Sequence, residues 1–590
     1  MPDTTATETT PLDAALEARD DLNRYGRAKR ALFALQLSFG LDDIHTIAAS
    51  ALTDGPDDKS CDVVYVDRDL HTAVLVQGYE STAPTNKRQA RGAKASSVHQ
   101  AITWLLGDID EADVPERLRS ARNELHQALA DGAIASIEVW FVHNLPESAQ
   151  IKQELNASAV GARHMVSARY SGVDLDVSGT EIGLETLGDR YLGSLTPVLV
   201  TDPFVVPVSG AFTEKGENWT AVCTSLPAGW LHEQFAAHKE RLFSANVRGY
   251  LGSTRSQNNI NNGIQDTVRN EPQQFWAYNN GITALVNDFE YDEDAGTIRV
   301  EGLAIVNGAQ TTGSIGSLDS THLAESRVMA RFIKCDDQRT VQEIIRFNNR
   351  QNPTQAADFR SNDRVQSRLV KEFEKLGVVG YNGGRRGGAE DVIRRPGSNQ
   401  ILATVAAQAL AAFHGRPEVA YHQKGQIWED DAIYSSVFPD RTSAAHILFV
   451  CALLRAIEEK KLELSSAASL DLDDSELAAW FSLRGSNMLA LTAMGAVFET
   501  VLNRTIADKY ALAFQGSPNL QEAADKLKPA LDAVLALAPS QLSDALSGSA
   551  LRNKAKVDTA LATFRGLVRS TKTSNRHIYT ALGNEISLNQ

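Results

Sequence analysis

The chain has 590 residues, of which 43% are hydrophobic and 22% are charged. One hydrophobic core rarely organises so long a chain, so the length predicts about three or four domains. The formal net charge of -16 opposes indiscriminate binding to phosphate polymers, although a local basic groove is compatible with it. Four cysteines, Cys61, Cys223, Cys335 and Cys451, lie far apart without a C-x-x-C pair, which argues against a zinc ribbon or a disulfide framework.

The sequence favours a cytoplasmic protein without a membrane partner. Its first residues, MPDTTATETTPLDAALEARDD, are acidic and polar and lack the apolar core of a signal peptide. The longest apolar run, AAHILFVCALLRAI near residue 450, is shorter than the roughly 20 residues that span a bilayer. Residues 1–20 are predicted to be a disordered tail, because their polar side chains cannot bury enough surface to offset the cost of ordering.

Residues 21–165 have the pattern of a small mixed α/β domain. Apolar residues at helical spacing come first, and two strands follow, joined at VDRDLH in the stretch DGPDDKSCDVVYVDRDLHTAVLVQGYES, which begins at Asp54. Two more helical patterns then precede the strand IASIEVWFVHNL, which is rich in β-branched and aromatic residues. The order α-β-β-α-α-β predicts a domain that ends near residue 165.

The rest of the chain divides into an alternating and a helical part. Strands and helices alternate over residues 166–435, which predicts an α+β domain, and residues 436–590 are almost purely helical in pattern. Two segments are locally basic: NKRQARGAK from Asn86, and residues 359–397 with nine basic and five acidic side chains. Each is either a solvated surface or part of a nucleic-acid groove.

Four clusters of Asn with Gly, Gln or Thr begin between Ala245 and Arg360, and the last of them extends to Asp363. They are NVRGYLGSTRSQNNINNGI, FWAYNNGITALV, GLAIVNGAQTTGSIG and EIIRFNNRQNPTQAADFRSND. Asn and Gly tolerate left-handed turns, so each cluster by itself is consistent with a turn whose side chains bond their own backbone. The four together suggest one polar site assembled from several turns.

These clusters resemble the AIPR family of abortive-infection phage-resistance proteins. The matching pieces are Asn246-Val247-Arg248, Phe275 with Asn279 to Thr283, Ile305 to Thr311, Asn348-Asn349 with Gln351-Asn352, and Asp358 to Asp363. They keep the family order, and the resemblance covers roughly residues 20–420. It implies an AIPR core over residues 166–435 and a role in phage defence.

The polar clusters suit recognition of a nucleic acid or a nucleotide. Amide side chains can read a base edge, and Arg248 or Arg360 can clamp a phosphate. Arg385 and Arg386 lie in a glycine-rich loop that either closes over such a ligand or is a surface loop without function. The expected binding residues are Arg248, Asn279, Asn280, Gly281, Asn307, Gly308, Gln310, Thr311, Asn348, Asn349, Asn352, Arg360, Arg385 and Arg386.

The amino-terminal domain resembles the Mrr-type restriction endonucleases of the PD-(D/E)xK fold. That resemblance implies a restriction-endonuclease-like fold in which Asp62 and Gln77 hold Mg²⁺. In those enzymes a lysine two residues after the position of Gln77 steadies charge during phosphodiester cleavage, whereas this chain has Tyr79 there. Tyrosine carries no positive charge near neutral pH. Lys87 is the expected catalytic replacement, and Arg88 and Lys94 are alternatives on the same basic segment.

Three hypotheses follow from the sequence. In the first, the chain is a defence protein whose Mg²⁺-dependent nuclease domain is controlled by the AIPR domain and followed by an all-α carboxyl-terminal domain. In the second, the nuclease-like fold is inactive, and the polar clusters bind nucleic acid or a nucleotide that regulates a partner or an assembly. In the third, the clusters are a scaffold and the helical domain is the interface of a homo-oligomer. A hairpin with simply solvated acids is the alternative without chemistry.

Overall fold

The structure is a computed structural model. It describes residues 10–588 apart from 42, 54, 56, 83–88, 171, 174, 197, 247–257, 320–322, 324, 349–362, 383–398 and 548–550. Two large sheets and one extended helical part make up the described residues. The prediction of a multidomain chain of mixed α/β composition is therefore confirmed.

The first sheet has four strands in sequence order. They are β1 (Val63–Asp67), β2 (Thr72–Tyr79), β3 (Ser136–His143) and β4 (Asp176–Ile182). Strand β1 is antiparallel to β2, and β2, β3 and β4 run parallel. The side chains of β2 and β3 are buried almost throughout, as expected of strands covered on both faces.

Helices cover both faces of this sheet. They are α1 (Pro11–Glu17), a 3₁₀ segment (Asp20–Ala28), α2 (Lys29–Phe39), α3 (Ile44–Ala51), α4 (Gly92–Ser96), α5 (Val98–Leu106), α6 (Glu116–Ala130), α7 (Ala149–Arg169) and α8 (Leu184–Leu195). Val74 and Val76 face one core with α2 and α3, whereas Ala73 and Leu75 face the other with α5, α6 and α7. This alternation along β2 follows from the two-residue period of a strand.

Two predictions about the limits of this domain are wrong. The disordered tail was predicted to reach residue 20, but residues 11–17 form α1, because Thr10 caps the helix and Leu12 and Leu16 are buried; residues 1–9 lie outside the described part. The boundary at residue 165 falls inside α7, which connects β3 to β4 in the same sheet. The sequence of β4, DVSGTEI, is polar and lacks the apolar run of a buried strand, so the sequence did not indicate that it belongs to the sheet.

The second sheet has seven strands. They are β5 (Val200–Pro207), β6 (Ala211–Lys215), β7 (Trp219–Pro227), β8 (Ile282–Val286), β9 (Asp288–Asp292), β10 (Thr297–Asn307) and β11 (Arg327–Cys335). The order is β5-β10-β8-β11-β7-β6, with β9 beside β10, and β8 and β11 are parallel. Its helices are α9 (Ala228–His238), α10 (Asn258–Asn270), α11 (Phe275–Tyr278), α12 (Ala309–Gly316) and α13 (Gln338–Asn348), with 3₁₀ segments at Lys239–Asn246 and Pro272–Gln274.

The helical part forms one continuous hydrophobic core from Leu369 to Ile586. Its helices are α14 (Arg364–Leu376), α15 (Ala403–Phe413), α16 (Pro417–His422), α17 (Gln426–Glu429), α18 (Asp431–Val437), α19 (Ala444–Ser466), α20 (Leu472–Ser482), α21 (Ser486–Leu502), α22 (Leu520–Leu535), α23 (Ala538–Leu546), α24 (Lys554–Thr571) and α25 (Arg576–Glu585), with a 3₁₀ segment at Lys509–Ala511. The core begins before the predicted boundary at residue 436, because α14 and α15 pack into it.

Two small sheets interrupt the helical part, and the second of them lies within residues 436–590, so the prediction of an all-α domain there is incomplete. Strands β12 (Gly380–Asn382) and β13 (Gln400–Leu402) are parallel, and β14 (Leu512–Phe514) pairs antiparallel with β15 (Ile586–Leu588). Each strand has only three residues, which is too short for a periodic pattern in the sequence.

Among the described residues, no single helix is long and apolar enough to cross a membrane. By length and composition alone, α20 and α21 taken together meet that criterion, and they are bent by 112° at their junction.

A buried charge joins the first sheet to the helical part. Arg484, 6% exposed, donates from Nη1 to Glu124 Oε2 and from Nη2 to the Val64 carbonyl, each over 2.6 Å. The Tyr421 hydroxyl donates to the other oxygen of Glu124 over 3.0 Å. Burial raises the pKa of Tyr421 well above its usual value, so the hydroxyl keeps the proton that it donates. Helix α6, strand β1 and helix α16 are thus held around one guanidinium.

Glu124→Gln is predicted to lower the stability of the junction strongly. The substitution leaves the buried guanidinium without its counter-charge, and breaking a buried ion pair in this way costs about 3–5 kcal/mol. The control is Asp266→Asn, which removes the exposed ion pair with Arg269, 3.6 Å apart, and should cost less than about 1 kcal/mol. Chemical unfolding followed by circular dichroism measures both, and equal shifts of the two midpoints would contradict the assignment.

Candidate functional site

Asp62 lies at the open end of the β1–β2 hairpin. Its backbone N–H donates to the Val76 carbonyl over 2.9 Å, which places it opposite Gln77 in the antiparallel register. Its carboxylate oxygen Oδ2 accepts the Gly78 N–H over 2.5 Å. The half-buried carboxylate is therefore held against strand β2 by a main-chain amide.

Gln77 is oriented by the junction of α4 and α5. Its amide Nε2 donates to Ser97 Oγ over 2.7 Å, and the Ser97 hydroxyl in turn donates to the Lys94 carbonyl over 2.7 Å. The Gln77 Oε1 atom lies 3.0 Å from the same hydroxyl oxygen. Gln77 and Asp62 occupy neighbouring positions on the face of the sheet that α5, α6 and α7 cover.

A lysine amine stands over the tyrosine that replaces the expected lysine. The Tyr79 ring packs on Phe141 with ring centroids 6.4 Å apart, and Lys94 Nζ lies 5.8 Å from the Tyr79 ring centroid. Attraction between a cation and an aromatic face operates at this distance. Lys94 belongs to α4 and is exposed. An exposed amine from the next helix therefore lies beside Tyr79, whereas Lys87 and Arg88 lie outside the described residues.

Two further carboxylates near this end of the sheet are already engaged. Glu80 Oε1 forms an ion pair with Arg30 Nε at 2.7 Å. Glu181 Oε1 lies 3.0 Å from His143 Nε2, both side chains are buried, and His143 is opposite Tyr79 in the parallel register. Sequence reasoning missed the His143–Glu181 pair, because the two residues are 38 positions apart and form no local motif.

The hairpin offers a partial set of metal ligands. In the described part of the chain, no group of three or more His, Cys, Asp or Glu side chains is arranged to hold a metal ion. Mg²⁺, however, is commonly held by one or two carboxylates together with substrate phosphates and water. The Asp62 carboxylate and the Gln77 amide oxygen fit such an open site, and they do not form a closed protein cage.

The second sheet brings two of the Asn-Gly clusters together. Asn279 Oδ1 accepts the Gly281 N–H over 2.8 Å and the Thr311 hydroxyl over 3.1 Å. It thereby joins the turn before β8 to the first turn of α12. Gly281 has a φ of +72°, and a Cβ there would overlap the Met329 carbonyl oxygen. Asn279 and Gly281 therefore have a structural role.

Gly308 completes this close packing. It precedes α12 with a φ of +91°, and a Cβ there would lie 2.6 Å from the Gly281 carbonyl oxygen. Thr311 is buried, whereas Asn280 and Asn307 are exposed and Gln310 is half-buried. The glycines let two turns approach one another, and some of the neighbouring amides are left at the surface.

An arginine that the motifs did not include lies beside this surface. Arg331 Nη2 donates to Thr283 Oγ1 over 3.3 Å and to Asn348 Oδ1 over 3.2 Å. Asn307 is paired with Thr283 in the β8–β10 register. No carboxylate lies within ion-pair distance of Arg331 among the residues that the structure describes. The arginine was missed because it alternates with apolar residues along β11, as any outward-facing side chain of a strand does.

The remaining predicted binding residues fall in parts of the chain without a described position. Arg248, Asn349, Asn352, Arg360, Arg385 and Arg386 lie outside the described residues.

Comparison with protein families gives one match. Residues 243–535 match the family described as AIPR protein. The chain carries an AIPR segment. The matched segment begins within the 3₁₀ segment Lys239–Asn246 and ends with α22. The resemblance was expected over residues 20–420, so the match extends further into the helical part and leaves the first sheet outside. No curated protein and no solved structure matches the chain.

Gly281→Ala is predicted to destabilise the AIPR segment. Alanine at positive φ is strained, and the added Cβ would overlap the Met329 carbonyl, so a loss of roughly 1–3 kcal/mol or more is expected. Gly263→Ala is the control, because Gly263 lies in α10 with no atom within 4 Å of its Cβ position, and alanine favours a helix. Thermal unfolding measures the difference. A melting temperature as high for Gly281→Ala as for Gly263→Ala would refute the structural role.

Proposed function

We propose that the chain is an abortive-infection defence protein whose first sheet cleaves phosphodiester bonds in nucleic acid with Mg²⁺. The observation that carries this proposal is the Lys94 amine 5.8 Å from the centre of the Tyr79 ring. The amine lies beside the residue that takes the place of the expected lysine, two positions after Gln77 on the same strand. The AIPR segment supports the defence role, and the control of cleavage by that segment is part of the proposal.

Each residue has a separate task in this site. Asp62 contributes the carboxylate and Gln77 the amide oxygen that would hold the ion, and Ser97 keeps Gln77 in place. Mg²⁺, when bound, polarises the scissile phosphate and promotes attack by water. Lys94 steadies the negative charge that develops on the phosphate. A tyrosine hydroxyl such as that of Tyr79 can donate a hydrogen bond to the substrate phosphate.

Local charge makes the approach of a phosphate backbone feasible despite the acidic chain. Arg91 precedes α4 and Lys94 lies within it, and both side chains are exposed. Glu80, the acid that follows Tyr79, is neutralised by Arg30. Since exposed charges are screened beyond about 8–10 Å at physiological salt, these nearby cations govern the local potential more than the net charge of -16 does.

Cleavage is predicted to need Asp62 and Lys94. Purified protein is incubated with Mg²⁺ or Mn²⁺ and plasmid DNA, single-stranded DNA or RNA, and the products are separated by size. Asp62→Asn should abolish cleavage. Lys94→Met should slow it by about 100-fold or more, as expected when a group that stabilises transition-state charge is lost, and Lys94→Arg should restore part of the rate.

The control for that experiment is Lys554→Met, which removes an exposed lysine at the start of α24 and should leave the rate unchanged. The nuclease proposal fails if the wild-type protein cleaves none of these substrates with either metal, or if cleavage persists in Asp62→Asn.

A second candidate function is recognition of nucleic acid without cleavage, at the surface formed by Arg331, Thr283, Asn307 and Asn348. Arg331 favours it, because its exposed guanidinium bonds neutral Thr283 and Asn348 and no described carboxylate compensates its charge. Such a guanidinium can still bind a phosphate bidentately. The exposed amide of Asn307 is available to a base or a sugar.

Arg331→Met is predicted to weaken binding of a single-stranded oligonucleotide about tenfold, since a charge-assisted hydrogen bond contributes on that order. Arg299→Met is the matched control, because Arg299 is an exposed arginine on β10 of the same sheet. Fluorescence anisotropy at fixed salt gives both affinities. Equal losses in the two variants would indicate only a general charge effect, and no loss in either would exclude this surface.

A further inference from the structure

A cavity of about 1100 Å³ lies between the first domain and the helical part. On one side it is bounded by the 3₁₀ segment Asp20–Ala28 and by α3, and on the other by α19 and strand β13. Its volume is slightly larger than the range of about 300–1,000 Å³ that small-molecule sites occupy, so there is room for such a ligand. Neither the hairpin site nor the Arg331 surface contributes to its wall.

Much of the cavity wall is apolar. Ala48 and Leu52 come from the first domain, and Val405, Leu454 and Leu462 come from the helical part. Apolar side chains on opposite sides, belonging to different domains, provide space for a flat or branched hydrocarbon group.

The carboxylates that line the cavity already have partners. Glu458 Oε1 accepts the Thr46 hydroxyl over 2.7 Å, and Asp43 caps α3 by accepting two backbone N–H groups. Asp21 forms ion pairs with Arg19 and with His45, the latter 3.1 Å from Nε2. Glu459 pairs with Arg455 and Lys528, and Asp20 accepts the Asn23 amide.

The basic side chains that line the cavity differ from these carboxylates, because two of them lack a described partner. The Lys461 amine has no hydrogen bond or ion pair to any residue that the structure describes, and the same is true of the Arg24 guanidinium. Burial lowers the pKa of Lys461 to about 7, and the nearby Arg484 charge acts in the same direction, whereas Glu458 opposes both. An amine that borders a cavity of this size without a partner is a potential anchor for a negative group.

We propose that this cavity binds a small amphipathic organic anion, with its acidic group on Lys461 and its hydrocarbon part between Ala48, Leu52 and Leu454. The cavity wall is shared by two domains, so the bound anion stabilises their docking. The Tyr25 hydroxyl, 2.8 Å from His45 Nδ1, and the His45–Asp21 pair form an ordered polar edge beside the ligand. This inference does not depend on nuclease activity or on nucleic-acid binding.

The probe is 1-anilinonaphthalene-8-sulfonate, an aromatic anion whose fluorescence rises on binding, and its uncharged analogue is N-phenyl-1-naphthylamine. The full chain should bind both at one saturable site. Lys461→Met should weaken binding of the anion about tenfold, the order expected for a charge-assisted bond, and should leave the neutral probe unaffected. Lys460→Met, on the same helix with its amine engaged by Asp474 and Asp532, is the matched control and should bind both probes normally.

A second variant keeps the test decisive if Lys461→Met does not fold. Ala49→Trp places an indole in the cavity from α3, so it should displace both probes, and the melting temperature reports whether the chain is folded. The proposal is overturned if the wild-type protein binds neither probe at a saturable site. It is also overturned if folded Lys461→Met binds the anion as tightly as wild type does, or if folded Ala49→Trp still binds both probes.

Discussion

One buried guanidinium bonds both sides of the junction between the first domain and the helical part. Arg484 comes from the turn after α20, and it bonds the carbonyl of Val64 on β1 and the carboxylate of Glu124 on α6. Val64 is two residues from Asp62, so a contact between the domains also bonds the strand that follows the candidate catalytic carboxylate. The same positive charge contributes to the lowered pKa of Lys461 across the junction. Arg484 is therefore connected to the hairpin site through the main chain of β1. It is connected to the cavity through its charge, which acts on Lys461.

Part of this arrangement could be predicted from the sequence. The hairpin follows from two short runs of β-branched residues, and strand alternation puts Asp62, Gln77 and Tyr79 on one face. Lys94 was an expected alternative on the basic segment, but its distance from Tyr79 depends on how α4 packs, which local patterns do not reveal. Similarly, β4 has a polar sequence, and α1 is stabilised by burying Leu12 and Leu16. Tertiary contacts decide these elements, and local patterns do not reveal them.

The Asn and Gly motifs indicate which residues lie close together, but they do not reveal what each residue does. Asn279, Gly281 and Gly308 lie close together, as a common polar site would require. At both glycines, however, a Cβ atom would overlap a nearby backbone oxygen. Close packing therefore explains the two glycines without a ligand. Asn307 and Asn280 share those turns and are exposed. The uncompensated cation beside them, Arg331, comes from a strand that carries no motif. The same motifs thus contain residues that pack the two turns together and residues that form an adjoining polar surface.

Our central claim is that the first sheet binds a scissile phosphate through Asp62 and Lys94. A crystal structure with Mn²⁺ and a non-hydrolysable single-stranded oligonucleotide tests it most directly, since anomalous scattering locates the ion. We expect an ion bound to the Asp62 carboxylate, with one phosphate on the ion and on the Lys94 amine. An oligonucleotide bound at Arg331, with no ion at Asp62, would contradict the nuclease claim and would support recognition without cleavage.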